Sequence, residues 1–343
     1  MDKKDLIIIN NEKISKKLNN FYCDNVDLQS IPEDLNESFN VTVVARSSKI
    51  ERKRKINIGN IIIATNIIKF LFNIFKTFKK KETIYLIISI TPYTFFSYFL
   101  LFIFRKKIFV YLRSDGYEEY KAIFGFIGPL IYHLMFVLVT FKSHIITCQK
   151  KLFTKRESNI VYPSEINSFW LDNTNKPLLD KPRILYIGRI KIEKGIFSLP
   201  KILNKLEINF EFSIVGDGDN KFNRNDIKDK KFIFYQSQTE TSALIKLYDN
   251  HNIFILPSYT EAHPKVVDEA LARLRPVIIF KEIDHIIQNK KGIFVTNRDS
   301  KSLFITIEYI MKNYSSIQEE IRKNQLPTKK EFISDVVNIL NQN

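Results

Sequence analysis

Short apolar, β-branched runs recur along the 343-residue chain, and segments of helix length separate them. Fully apolar strands that alternate with helices are typical of parallel sheets covered on both faces. Two such blocks predict an α/β protein of two doubly wound, Rossmann-like domains that face a cleft. The predicted strands are residues 6–10, 39–45, 83–90, 107–113 and 144–149 in the first block, and 183–189, 210–216, 231–235, 252–258, 276–280 and 292–296 in the second.

A polar, turn-rich stretch separates the two blocks and sets the predicted domain boundaries. Residues 1–163 form the first domain, residues 164–182 the linker and residues 183–328 the second domain. A helix at residues 329–343 follows Pro327. Whether this helix crosses back to the first domain is an open alternative.

The net charge of +16 is compatible with nucleic acid, an anionic membrane or an anionic small substrate as partner. A compositional bias toward Lys, Ile, Asn and Phe explains the same charge equally well. The two cysteines, Cys23 and Cys148, are too few for a framework of bridges, so a reducing cytoplasm is expected. Four consecutive apolar residues precede Asn10, which is too short a run for a signal peptide.

Ligands of doubly wound sheets bind beyond the carboxyl ends of the strands, so the loops there carry the candidate chemistry. YIGRIKIEKG (186–195) places Arg189 and Lys194 near Gly188, and a guanidinium fork with an ammonium suits a diphosphate. A solvated basic loop is the alternative. SIVGDGDN (213–220) contains Gly216, which allows close approach of a ligand. Its Asp217-Gly218-Asp219 also has the form of a metal-binding DxD, a weak signal among 37 acidic residues.

The stretch SYTEAHPKVVDEA (258–270) contains two glutamates. Pro264 fits the first turn of a helix, which puts Glu261 in the loop and Glu269 about a turn and a half into the helix. Free amides at the helix start can meet phosphate or sugar oxygens, and the two carboxylates can accept hydrogen bonds from separate hydroxyls. Two surface glutamates without a function are the alternative.

The motifs GR(x)4KG, V-G-x-G and LPS-x2-E-A-x-P-x4-EA-x-A-x3-P follow one another over most of residues 183–280. In this order they resemble family 4 of the retaining glycosyltransferases, which has the GT-B fold, and NIVYPSEINSF resembles its interdomain segment. The resemblance implies that Arg189 and Lys194 hold the donor diphosphate, that Glu261 contacts the donor sugar and that Glu269 contacts the ribose. The nucleotide-sugar site that it implies comprises Gly188, Arg189, Lys194, Gly216, Ala262, His263, Pro264, Lys265 and Glu269.

Three positions depart from the family pattern and leave the nucleobase open. Leu274 stands where the family usually has Gly. The glycine expected near residues 235–237 is missing, and Ser164-Glu165 replace the usual Asn-Gly of the linker.

Two loops of the first block are candidates for acceptor binding. NNEKISKKLNN (10–20) is predicted to be the loop after the first strand, and it lacks the paired glycines that many relatives carry. In SDGYEEY (114–120), Asp115 is a candidate catalytic residue because relatives often place a His or Asp there. A helix N-cap or a turn is the equal alternative for Asp115.

Three apolar segments of the first block favour contact with a membrane surface. Residues 66–81 form a predicted amphipathic helix with a basic stripe, and the run 95–104 is too short to span a bilayer. Residues 122–141 are long enough to span, but they contain His133 and Pro129 and lie between two strands of one sheet. Spanning and plain core packing are the alternatives.

The sequence therefore predicts an enzyme, a retaining glycosyltransferase that uses a nucleotide-diphosphate sugar without a metal or other cofactor. Its acceptor is expected to be a saccharide or a polyprenol-linked lipid of bacterial surface polysaccharide, such as O-antigen, capsule or lipopolysaccharide. The expected location is cytoplasmic, peripheral on the inner face of the cytoplasmic membrane. No nucleic-acid partner is expected, since no RRM, KH or zinc signature is present. The alternatives are a nucleotide-sugar epimerase of the same shape and a non-catalytic basic protein that binds membranes or RNA.

Overall fold

A computed structural model describes residues 3–79, 82–154, 157–218 and 232–342. The chain divides into two compact units, one made of Met1–Tyr162 with Lys330–Asn343 and the other of Pro163–Lys329. The strands are β1 (Asp5–Lys17), β2 (Asn20–Cys23), β3 (Asn40–Ser47), β4 (Arg54–Ile56), β5 (Asn60–Ala64), β6 (Ile84–Ile88), β7 (Lys107–Leu112), β8 (His144–Thr147), β9 (Asn159–Ile160), β10 (Arg183–Ile187), β11 (Glu211–Val215), β12 (Phe232–Tyr235), β13 (Ile253–Leu256), β14 (Val277–Phe280) and β15 (Ile293–Thr296). The α-helices are α1 (Val26–Leu35), α2 (Ile67–Lys76), α3 (Pro92–Ile103), α4 (Gly116–Phe124), α5 (Gly128–Phe141), α6 (Ser168–Leu171), α7 (Leu199–Leu203), α8 (Thr241–Asp249), α9 (Lys265–Ala272), α10 (Ser300–Lys312), α11 (Tyr314–Ile321) and α12 (Lys329–Asn341). Short 3-10 helices cover Thr77–Lys79, Gly125–Ile127, Lys150–Leu152, Ile192–Lys194 and Lys281–Ile286.

The first unit is built on a parallel sheet in the order β5-β3-β1-β6-β7-β8-β9. Side chains of the central strand β1 alternate between its two faces. Leu6 and Ile8 enter one core, which also contains α1 and α12, whereas Ile7 and Ile9 enter the other, which contains α2 to α5. The apolar runs of the sequence therefore form a sheet buried on both faces, as predicted.

The prediction that residues 10–20 form a loop is wrong. Strand β1 continues to Lys17 and turns through Leu18, whose φ is 54°, into an antiparallel pairing with β2. Lys, Asn and Glu have low β propensity, so their run indicated a loop. The strand forms there because Ile14 is fully buried and residues 15–17 pair with β2.

The apolar stretch of the first unit that follows β7 folds back on itself. Helix α4 ends at Gly125, whose φ of +64° a residue with a side chain adopts only under strain. Helix α5 then returns beside α4, so the ring centroids of Tyr117 and Tyr132 lie 4.8 Å apart. The hydroxyl of Tyr117 also lies 2.8 Å from Nδ1 of His133. By length and composition alone, the helical stretch Gly116–Phe141 is long and apolar enough to cross a membrane.

The second unit contains a six-stranded parallel sheet in the order β12-β11-β10-β13-β14-β15. Counted within the unit, this is the strand order 3-2-1-4-5-6 of dinucleotide-binding folds, in which ligands bind where the order reverses. The reversal falls at β10, flanked by β11 and β13. The loops after β10 and β13, which the sequence singled out, are therefore neighbours at the binding edge of the sheet.

Two arginines that follow α9 fix the predicted linker to the second unit. Arg273 and Arg275 are each 1% exposed, and both pair with Asp249. Arg273 also donates to the carbonyls of Trp170 and Asp172 at 2.9 and 2.8 Å. Because an unpaired buried guanidinium would be costly, these bonds hold the linker backbone in place.

Candidate functional site

The loop after β10 presents the two predicted phosphate-binding cations. Arg189 is exposed, and its carbonyl accepts a hydrogen bond from the Tyr186 hydroxyl at 2.8 Å. Lys194 ends a single 3-10 turn that is followed by Gly195 at φ +67°. A Cβ at Gly195 would lie 1.8 Å from the carbonyl oxygen of Pro257, so this loop can approach the end of β13 only with glycine there.

Lys194 and Glu261 come from loops 67 residues apart and meet directly. The Lys194 Nζ lies 2.6 Å from Oε1 of Glu261, and the two side chains are only 18% and 9% exposed. The hydroxyl of Ser258 donates to the same carboxylate oxygen at 2.7 Å. A cation, a carboxylate and a hydroxyl thus converge on one point beside the start of α9.

Glu269 lies inside the unit, 8% exposed, and its Oε2 accepts a hydrogen bond of 2.9 Å from the Tyr248 hydroxyl. Burial raises the pKa of the Glu269 carboxyl to about 7, although the Tyr248 bond and the charge of Lys265 act in the opposite direction. Lys265 itself is paired with Glu165 at 2.9 Å. Neither Glu261 nor Glu269 is therefore a surface glutamate, and their roles in donor binding stay predictions.

The start of α9 is ordered by a second buried ion cluster. Pro264 occupies the N-cap position, and Nε2 of His263 lies 3.2 Å from Oδ2 of Asp268. The Lys290 Nζ lies 2.5 Å from the other oxygen of Asp268. Burial alone would raise the pKa of Asp268, but His263 and Lys290 outweigh it and hold this pKa below its usual value. The His263 side chain is therefore occupied inside the unit.

Arg298 braces the same loop and was not predicted to do so. Its guanidinium carbon lies 4.2 Å from the ring centroids of both Tyr259 and Phe280, and Nε donates to Glu282 at 2.7 Å. A terminal nitrogen donates to the Ser258 carbonyl at 3.3 Å. A lone Arg in the run FVTNRDSK gives no sequence signal for these contacts.

The described part of the glycine loop after β11, residues 216–218, lies beside the loop after β10. The amide of Gly188 donates to the Val215 carbonyl at 3.0 Å, which places Gly216 beside the loop after β10. Asp217 accepts a hydrogen bond from the Ser237 hydroxyl. Asp219, the second aspartate of the DxD, lies outside the described residues. Over the described ranges no group of three or more His, Cys, Asp or Glu is arranged to hold a metal ion.

Asp115 lies in the first unit and caps helix α4. Its Oδ1 accepts hydrogen bonds from the amides of Tyr117 and Glu118 at 3.0 and 3.4 Å. The structure thus realises the N-cap alternative for this residue. Capping leaves a catalytic role for Asp115 as a prediction.

Residues 171–326, which include most of this site, match the family Glycosyl transferases group 1. The matching residues lie within the second unit, and the chain has a parallel α/β fold of the GT-B class. The recognition of a glycosyltransferase from the three loop motifs is confirmed at the level of these residues. Its finer assignment to family 4 stays a prediction.

Two curated relatives work on cell-surface polymers by their names. The capsular polysaccharide biosynthesis glycosyltransferase CapM of Staphylococcus aureus is 30% identical over 179 residues, which are 47% of this chain and 46% of CapM. The putative teichuronic acid biosynthesis glycosyltransferase TuaC of Bacillus subtilis (strain 168) is 36% identical over 100 residues, 29% of this chain and 25% of TuaC. The chain thus matches about half of the relatives' length or less.

Solved structures share the fold over nearly the whole chain. Sucrose-phosphate synthase from Thermosynechococcus elongatus superposes with a TM-score of 0.68 at 14% identity, covering 98% of both chains. Anabaena HepE in complex with UDP-glucose superposes with a TM-score of 0.67 at 12% identity, again covering 98% of both chains. At these identities the likeness shows the fold alone.

Proposed function

We propose that this protein is a retaining glycosyltransferase of family 4 that moves a sugar from a nucleotide-diphosphate sugar to a saccharide or lipid-linked acceptor of bacterial surface polysaccharide. The contact of 2.6 Å between Lys194 and Glu261 is the observation that carries the proposal. It brings the predicted phosphate-binding cation and the predicted sugar-binding carboxylate to one point of the unit that matches the family Glycosyl transferases group 1. The names of CapM and TuaC support capsule-like polymers as the product class.

Donor binding would replace the internal ion pair by contacts with the two ends of the donor. Lys194 would turn from Glu261 to the diphosphate, joined by the exposed fork of Arg189. Glu261, still held by Ser258, would then accept a hydrogen bond from a sugar hydroxyl. Glu269 would accept a hydrogen bond from the ribose of the donor. This bond requires either the ionised carboxylate of Glu269 or a free lone pair on its protonated carboxyl.

In the reaction, the bond from the anomeric carbon to the diphosphate oxygen breaks, and its electron pair stays on that oxygen. Lys194, Arg189 and the amides at the start of α9 stabilise this charge. The acceptor hydroxyl forms the new bond on the face that the diphosphate leaves, and its proton passes to the departing phosphate oxygen. This course retains the anomeric configuration without a protein nucleophile.

Asp115 and the cellular location complete the proposal. Asp115 is a candidate to contact the reacting sugar, and Asp115→Asn tests this because asparagine caps a helix equally well. Transfer that survives this substitution would leave Asp115 with its capping role alone. The enzyme is proposed to need no metal, to bind no nucleic acid and to lie peripherally on the inner face of the cytoplasmic membrane.

Thermal unfolding of the protein with UDP-, GDP-, dTDP- and ADP-sugars tests the donor site and identifies the nucleobase. A ligand at 100 times its Kd stabilises a protein by about 2.7 kcal/mol, so one donor should raise the Tm clearly. Arg189→Ala should remove this rise, whereas Lys201→Ala, on the exposed side of α7, should keep it. If no donor raises the Tm while the protein binds RNA or anionic vesicles regardless of Arg189, the non-catalytic alternative holds and the proposal fails.

A further inference from the structure

The α4–α5 hairpin presents an apolar face that no described element of the chain covers. On α5, Tyr132, Met135, Phe136 and Val139 enter the core of the first unit. The opposite side is exposed and also apolar. We name the exposed set the hairpin patch; it comprises Ile123, Phe124, Phe126, Ile127, Leu130, Ile131, Leu134, Leu138 and Phe141.

The turn of the hairpin is its most exposed part. Phe126, beside Gly125, is 89% exposed, and Leu130, the third residue of α5, is 71% exposed. Along α5 the exposed apolar residues recur at steps of three and four, which is one continuous helix face. An amphipathic helix of a soluble domain carries polar residues on its exposed face, whereas α5 is largely apolar on both its buried and its exposed face.

Helices α2 and α3 extend this surface. They pack on the same side of the sheet as α4 and α5, and α3 lies beside both α2 and α5. Their outward residues include Ile68, Phe72 and Ile103, and the rings of Phe75 and Phe104 join the two helices at 5.5 Å. Monomeric soluble proteins rarely expose a contiguous apolar area of this extent without a partner.

The segments that carry the apolar surface are rich in Lys and Arg, and we name these cations the basic rim. Residues 67–79, 92–107 and 116–142 contain eight Lys or Arg and two Glu. Lys76 and Lys106 hold their ammonium groups 4.5 and 4.8 Å from the ring centroids of Phe72 and Phe78. Ammonium groups that lie over aromatic rings next to an apolar surface match the headgroups and the acyl boundary of an anionic bilayer. A second copy of the chain would instead bring two basic rims together.

The geometry of the hairpin also limits how deeply it can enter. Helix α5 has 14 residues, about 21 Å at 1.5 Å per residue, against a hydrocarbon core of about 30 Å. Tyr120 and Tyr132 anchor both helices in the core of the first unit. The 26-residue apolar stretch therefore cannot straighten into a span without leaving that core.

We infer that the hairpin patch is the membrane-docking surface of this protein and that it takes an anionic lipid bilayer. The turn at Phe126 lies at the boundary between headgroups and acyl chains, the basic rim contacts anionic headgroups, and no helix crosses the bilayer. This inference deepens the location proposed above by naming the element and the lipid charge. Its test needs no sugar donor. Membrane docking can therefore fail while donor binding is confirmed, and donor binding can fail while membrane docking is confirmed.

Flotation with vesicles of phosphatidylcholine, alone or mixed with phosphatidylglycerol, tests the inference on the full chain. The native protein should float with the anionic vesicles, less so in high salt. The double variant Phe126→Glu with Leu130→Glu should lower the partition coefficient at least ~100-fold, because two inserted side chains are lost and two negative charges face the lipid. Ile305→Glu, at a 57% exposed position on α10 of the second unit, is the matched control and should leave partition unchanged.

Both glutamates replace exposed side chains, so the Tm and its rise with the sugar donor should match those of the native protein. Equal flotation of the double variant and the native protein would overturn the inference. The inference would also be overturned if the native protein did not float with the vesicles and instead formed a dimer, and if the double variant were a monomer. A Phe126→Trp variant measures depth: its emission should shift to the blue on anionic vesicles, and an unshifted spectrum would contradict insertion of the turn.

Discussion

Replacing Glu269 by glutamine should stabilise the second unit above neutral pH while it weakens donor binding. Glu269 is 8% exposed, and burial raises the pKa of its carboxyl from 4.5 to about 7. Between these two values the folded state holds a proton that the unfolded state has released. The free energy of unfolding therefore falls as the pH rises through this window, and the loss is complete above it.

The expected loss of unfolding free energy follows from these two pKa values, 4.5 and about 7. One pKa unit corresponds to 1.36 kcal/mol, so the ionised carboxylate costs on the order of 3 kcal/mol at pH 8. Glutamine is neutral at every pH and can still accept the hydrogen bond of Tyr248. Glu269→Gln should thus gain up to roughly 3 kcal/mol over the native protein at pH 8 and almost nothing near pH 4.5. The charges around this site, Lys265, Glu165 and Asp268, stay in place in both proteins.

Urea unfolding between pH 4.5 and 8, followed by tryptophan fluorescence, measures this difference. Trp170 is the one tryptophan of the chain, and its ring lies 5.7 Å from that of Tyr248, so it reports on this unit. Glu240→Gln, an exposed position before α8, is the control and should show no pH-dependent gain. A gain in the free energy of unfolding of Glu269→Gln that does not change with pH, or a loss at pH 8, would contradict a Glu269 pKa raised by burial. Affinity for the sugar donor should fall about tenfold at pH 8, because a hydrogen bond to a charged acceptor becomes neutral.

Five substitutions at three further positions probe the loops near the site. Leu274 is 7% exposed and has a φ of 58°. Leu274→Ala should lower the free energy of unfolding in urea by about 3 kcal/mol, because a buried side chain is lost. Leu274→Gly should lower it by about 1 kcal/mol less, the reverse of the usual order, because glycine adopts this φ without strain. Gly195→Ala should abolish the rise of Tm with donor, because its Cβ would displace the Pro257 carbonyl; an unchanged rise would contradict the role of that contact. Arg298→Ala should raise the donor KM more than it lowers kcat, and Arg298→Lys should fail to restore KM because an ammonium cannot stack between two rings and also hold Glu282. Rescue of KM by the lysine would show that only the charge matters.

Local patterns predicted the buried central strands of both sheets, but not β2, β4 or β5 of the first unit. The strands of both sheets that are apolar along their length, such as β6 and β13, are buried on both faces and lie inside the predicted runs. The pairing of β2 with residues 15–17 was missed because residues 15–17 are polar and form a strand through their cross-strand partner. The fold-back at Gly125 was missed for a similar reason, since a single glycine in an apolar run does not reveal a positive φ.

The residues of the candidate site were selected through motif spacing rather than through contacts. The resemblance selected Lys194, Glu261 and Glu269, but no spacing reveals that the first two pair with each other over 67 residues of sequence. Nor does it show that Glu269 is buried, which depends on Tyr248 from another helix. Leu274 is the instructive departure: where the family usually has glycine, this chain keeps the left-handed backbone and offsets its strain by burying a large side chain.

Retaining sugar transfer by the site around Lys194 and Glu261 is tested by the anomeric configuration of the product. The protein would be incubated with the donor that raises its Tm and with a bacterial lipid extract as acceptor, and the first-formed product followed by NMR. We expect that the donor is consumed, that the new glycosidic bond has the donor's anomeric configuration, and that Lys194→Ala stops the reaction. An inverted product, or transfer that persists undiminished in Lys194→Ala, would contradict retaining transfer by this site.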